Sequence, residues 1–177
     1  NITRQHNIIL SRGESKAVVM ENRLRSLNPE QHFKTTTDGR MINWRVKEGV
    51  VLPKKLQNVN PHITDYVERT ELYEYTQGQQ RWVNEWGKWK EEIDQIRIQE
   101  NVPIKEAIIK DGQWLSRVVT EINKQKVGIP RVGKPFAKTP VERPRWHEYV
   151  EDGLKRGDDY SKDITGAAVL GYKSIYA

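Results

Sequence analysis

The chain has 177 residues, of which 36% are apolar and 31% charged, with a mean hydropathy of -0.83. That length suits one domain, but the composition is thin for a globule that should hide about 70% of its unfolded surface. A net charge of +6 and a pI near 9.4 favour polyanionic partners, while zero cysteines exclude a disulfide framework, thiolate zinc, iron–sulfur ligation and a cysteine nucleophile.

Charge is unevenly spread: residues 1–58 carry +6, residues 59–128 carry -2 and residues 129–177 carry +2. Six Trp and seven Tyr against two Phe give most of the large apolar groups a polar handle, as at contact surfaces. No apolar run reaches the roughly 18 residues of a membrane span and no signal-peptide pattern opens the chain, so a soluble or peripheral protein is expected. Asn1 in place of an initiator Met suggests processing or trimming, and removal of a targeting peptide would point to an organelle.

In chain order, Ser11 and Glu14 have capping-box spacing, and Ala17, Met20, Leu24 and Leu27 follow on one helical face until Asn28 and Pro29, predicting a helix over about 12–27. Phe33–Thr37 and Arg40–Val46 flank Asp38 and Gly39 as a two-residue hairpin, with Val50–Leu52 as a third strand after Glu48 and Gly49. Asn60 and Pro61 predict an N-cap and first helical position, with Ile63, Tyr66, Val67, Thr70 and Tyr73 at helical spacing up to Gly78. The strongest pattern is Trp82, Trp86, Trp89, Ile93 and Ile96, a heptad-like seam among mixed charges. Pro103 opens a further helix carrying Ile104, Ala107 and Ile108, continued by Leu115, Val118, Val119 and Ile122 to a C-cap at Gly128. Consecutive helices joined by short breaks predict a central helical hairpin or small bundle.

From Ile129 the texture changes. Pro130, Pro135, Pro140 and Pro144 exclude helix and central strand, and Arg131, Lys134, Lys138, Arg143 and Arg145 face Glu142 alone over the same stretch. This is an extended basic arm, interleaved with Phe136 and Trp146. A short helix is expected over Trp146–Lys155, a charged loop over Gly157–Lys162 and a small apolar tail over Ile164–Ala177.

Residues 128–134 fit the first seven places of the phosphate loop GxxxxGK, but Pro135 stands where Ser or Thr should ligate magnesium, and Pro130 and Pro135 remove amide donors. The histidines His6, His32, His62 and His147 are scattered, without HxxxH or HExxH, so no metal site is expected. Neither a GxSxG elbow nor an SxxK pair offers a serine nucleophile. Asn1, Ile2 and Thr3 form a sequon by chance. Residues 103–124 fit a helix-turn-helix loosely, within a net acidic section that opposes phosphate contacts.

Two features keep two readings each. Trp82, Trp86 and Trp89 serve as a core stripe or as an interface to another subunit, and core is preferred because the helix after Pro103 offers a matching apolar face. The arm is a binding segment, with Arg131, Lys134, Phe136, Lys138, Arg143, Arg145 and Trp146 as its contacts, or a passive linker; one-signed charge with aromatics favours binding.

The expected architecture is therefore mainly α with minor β: a basic N-terminal helix and β-hairpin over 1–58, a helical core over 59–128, and an extended arm and tail over 129–177, in one structural unit. The expected function is that of a non-enzymatic structural subunit of a large assembly, an RNA-contacting subunit of a mitochondrial ribosome, with rRNA and other subunits as partners and no cofactor or small-molecule substrate. The alternative is a protein-only assembly: a respiratory-complex accessory subunit, a filament-associated protein or a virion component.

Overall fold

In a computed structural model the described residues are 2–99, 115, 117, 119–122, 125–126 and 149–175. In chain order they form α1 (Ile2–Ser26), α2 (Pro29–His32), β1 (Arg45–Val46), a 3-10 turn (Lys54–Leu56), α3 (Ile63–Glu68), β2 (Tyr73–Glu74), α4 (Gln77–Gln99), β3 (Val119–Ile122), β4 (Gln125–Lys126), α5 (Val150–Arg156), β5 (Asp159–Tyr160) and α6 (Ile164–Ile175). The fold is mainly α with minor β, and no described helix is long and apolar enough to cross a membrane.

The core is a small bundle of α1, α4 and α6. Ala17, Met20 and Leu24 recur at the helical period and are fully buried against Trp82, Val83, Trp86 and Ile93 of α4. Burying such side chains stabilises by about 1.5–3 kcal/mol each. The facing surface of α6 is Ile164, Ala167, Ala168, Val169 and Tyr172. The Trp82 indole N–H, taken out of water, donates to Thr165 Oγ1 on α6 at 3.2 Å, and Trp89 meets the Tyr172 ring edge-on at 5.6 Å. Lys16–Glu92 at 2.9 Å and Arg23–Glu85 at 3.9 Å tie the outer edges of α1 and α4.

Several expected elements are corrected. The helix forecast over 12–27 begins at Ile2. The turn at Asp38 and Gly39 forms, with Gly39 at φ +87° and its amide donating to the Thr36 carbonyl, but the hairpin does not extend beyond a Thr35–Met41 bridge. On its other edge the same segment is bonded by residues 61–63, Met41 donating to the Pro61 carbonyl at 2.7 Å and Ile63 donating to that of Gly39 at 2.8 Å. Arg45 and Val46 pair instead with Glu74 and Tyr73. The turn at Glu48 and Gly49 forms, with Val50 N–H donating to the Lys47 carbonyl and Gly49 at φ +77°, but Val50–Leu52 is not a strand; the partner of Val46 is Tyr73, and Lys47 donates to the Leu72 carbonyl at 2.9 Å.

The helix expected from Asn60 and Pro61 to Gly78 is only α3. Pro61 is held extended by its bond to Met41, so His62 becomes the N-cap, its ring Nδ1 accepting from Thr64 N–H at 3.1 Å. At its other end Tyr73 is recruited into β2, which stops the helix after Glu68. Val119–Ile122, expected in the second helix of a hairpin, is instead the central strand of an antiparallel sheet ordered β4-β3-β5, as its β-branched run allows. The forecast over 103–112 and the C-cap at Gly128 lie outside the described residues. Part of the expected loop 157–162 is β5, and the expected tail is the core helix α6. Its start is encoded in Asp163, whose Oδ1 accepts from Gly166 N–H at 3.0 Å.

Residues from all three expected segments share one core: Met20 and Phe33, Tyr66 and Trp86, and Ala168 and Tyr172 belong to the same cluster.

Candidate functional site

Arg131, Lys134, Phe136, Lys138, Arg143, Arg145 and Trp146 lie outside the described residues. Trp82 and Trp86 are buried in the bundle, and Trp89 is half-buried at its edge. β4 is the last element described before the basic stretch and Tyr149 the first residue described after it, and β3 pairs with β4 on one side and with β5 on the other. Strands from before and after the basic stretch in sequence thus belong to one three-stranded unit.

A set of buried polar side chains on and around α3 ties the segments ahead of β3 and at the start of α5 to the fold. Every residue of this six-residue helix is buried, so its carboxylates need internal partners. Glu68, 2% exposed, accepts from the Leu115 amide at 2.8 Å and from the Arg117 guanidinium at 3.3 Å, just ahead of β3. Asp65 accepts from the Val150 amide at 2.8 Å and the Glu151 amide at 3.0 Å. These are the first amides of α5, whose N-cap Tyr149 supplies no side-chain bond, so Asp65 caps the helix from across the fold. Residues three apart share a helix face. Asp65 and Glu68 therefore tie the start of α5 and the segment ahead of β3 to one surface.

Two further groups hold the start of α5. Glu151, almost fully buried, takes both terminal nitrogens of Arg40, at 2.7 and 3.2 Å, while the same guanidinium donates to the Asn60 carbonyl at 2.8 Å. Arg69 stacks over the Tyr149 ring at 4.6 Å. His62 Nε2 lies 3.3 Å from the Tyr160 carbonyl, and since Nδ1 accepts from Thr64, the ring proton sits on Nε2 and points to β5. Gly39 leaves room for this imidazole: a Cβ there would stand 2.6 Å from Nε2.

Burial dominates the ionisation of the cluster. Desolvation pushes His62 down to about 4, against the hydrogen bond to Tyr160, with nearby Arg40 lowering it further. Desolvation likewise pushes Asp65 up to about 6, aided by the charge of Glu68 and opposed by Arg117 and by the Val150 and Glu151 amides.

From sequence alone Arg40, Asp65, Glu68 and Glu151 have no assigned role, and His62 figures only among scattered histidines. The available signal was Asp65 and Glu68 enclosed by Ile63, Tyr66 and Val67, a helix with no polar face to leave in solvent. Among the described residues no group of three His, Asp or Glu side chains is arranged to hold a metal ion. No protein-family model matches the chain, and no curated protein or solved structure is similar to it.

Proposed function

We propose that the chain is a non-enzymatic structural subunit of a ribonucleoprotein assembly, such as a mitochondrial ribosome, and that residues 129–146 are its RNA-contacting arm. The observation that carries this reading is that Asp65 fixes the first described turn after the basic stretch, at Val150 and Glu151, to the fold. A linker would join separately packed units, whereas here the chain returns and α6 packs on α1 and α4. In sequence, residues 129–146 carry five cations, one acid and four prolines. Such a stiff backbone loses little entropy on docking, and one-signed charge suits phosphates. The non-enzymatic part rests on the buried cluster, where His62, Asp65, Glu68 and Glu151 are each engaged in holding chain segments and are at most 2% exposed.

Neutralising Arg131, Lys134, Lys138, Arg143 and Arg145 together should weaken RNA binding and flatten its salt dependence, by about 0.7 in log-log slope for each phosphate no longer neutralised. Filter binding of a single-stranded RNA across a salt series measures this, with circular dichroism to verify that the fold persists. An unchanged slope would overturn the RNA reading. If at the same time a Phe136→Ala, Trp146→Ala variant failed to enter its assembly, the arm would be a protein-docking segment instead.

A further inference from the structure

We infer that the RNA footprint continues from the arm onto a basic platform formed by Lys54 and Lys55 with Lys155 and Arg156 of α5, which takes the phosphate backbone; this rests on the RNA reading above. The 3-10 turn Lys54–Leu56 packs on α5, and Lys55 Nζ lies 3.4 Å from Asp152 Oδ1. Residues three and four apart share a helix face, so Lys155 and Arg156 stand one turn beyond Asp152 on the side that meets Lys55.

Charge on this face is layered. The acids are turned in, Asp152 with 16% of its side chain exposed and Asp158 with 4%, while Lys55 and Arg156 are 60% and 40% exposed. Lys54 and Lys155 are also exposed, and neither forms an ion pair among the described residues. Solvent and any partner therefore meet cations first. The layering has a local cause: α5 places Lys155 and Arg156 in its last turn, at the negative end of the helix, and Gly157 at φ +99° ends it with the Asp158 amide donating back to the Gly153 carbonyl.

Position links the platform to the arm. Val150, the first described helical residue after the basic stretch, is clamped by Asp65, and α5 rises only about 10 Å from there to Arg156. The platform cations of α5 thus stand within about one screening length of Val150, four residues past Trp146 at the end of the arm. No aromatic side chain stands among the four, so the contact is to backbone charge and independent of base sequence.

The test compares three variants of the 177-residue chain for binding to one single-stranded RNA across a salt series: Lys54→Gln with Lys55→Gln and Lys155→Gln; the neutralised arm; and a control, Arg81→Gln with Lys88→Gln and Lys173→Gln, which removes equal charge from α4 and α6. Arg156 is kept because it pairs with buried Asp158 at 2.9 Å. The platform variant should lower the log-log slope by about 2, at 0.7 per phosphate, with the control unchanged. If the arm variant flattens the slope while the platform variant behaves like the control, the platform is overturned and the arm stands. If no variant changes the slope, the RNA reading falls and the platform with it.

Discussion

Replacing Asp65 by Ala should remove about 3–5 kcal/mol of stability, because it leaves two buried amides without an acceptor and takes a negative charge from beside Arg117. The loss should be local before it is global. Val150 and Glu151 form the N-terminus of α5, so their amide exchange should accelerate well ahead of that of Trp82 or Trp86 in the bundle. Asp65→Asn keeps an acceptor and should lose less. By contrast Glu21→Ala, which removes an exposed pair with Arg25, should change stability by about 0.5 kcal/mol or less. Urea unfolding of the three variants measures the ordering, and an Asp65→Ala loss no larger than that of Glu21→Ala would contradict the clamp.

The second large effect is a pH dependence hidden in the parent protein. His62 is held neutral, its value lowered from 6.5 to about 4, so its contribution is complete above pH 6.5 and lost as pH falls toward 4. That loss is about 3 kcal/mol. Asp65 has the opposite sign: raised from 3.8 to about 6, it favours the fold fully below pH 3.8 and loses that contribution as pH rises through 6. Its size is also about 3 kcal/mol. Between pH 4 and 6 the two slopes oppose each other. Asn caps helices well, so His62→Asn should preserve the start of α3 and gain stability relative to the parent as pH falls from 6.5 to 4. Asp65→Asn should lose it over the same range. Urea midpoints collected across pH 4 to 7 report both, and parallel profiles for the parent and the two variants would sink the assignment.

The helical faces of α1 and α4 were legible in the sequence because they repeat locally, but the partner expected for the Trp seam was the stretch after Pro103, whereas α1 and α6 cover it. Ala17, Met20 and Leu24 on α1, and Trp82, Trp86 and Ile93 on α4, carry the helical period without help from distant residues. Where a tertiary partner overrode that period, the reading went astray. Tyr73 continues the spacing of Ile63 and Tyr66, yet it pairs with Val46, and Val119 and Ile122 keep a spacing of three while lying in a strand. The helix α6 was readable from Asp163 with Ile164, Ala167, Ala168 and Tyr172, but Gly166 and Gly171 masked it. The clamp was the least legible part. A carboxylate in sequence looks the same whether solvated or buried, and the amide that holds Asp65 inside is 85 residues away.

The central claim is that the basic stretch 129–146 meets RNA, and sedimentation of the native protein with and without ribonuclease tests it most directly. The protein should travel with a large RNA-containing particle, leave it on ribonuclease treatment, remain on it in detergent, and fail to join it when Arg131, Lys134, Lys138, Arg143 and Arg145 are neutralised. Sedimentation in a particle that ribonuclease leaves intact, with the neutralised arm still incorporated, would contradict the account.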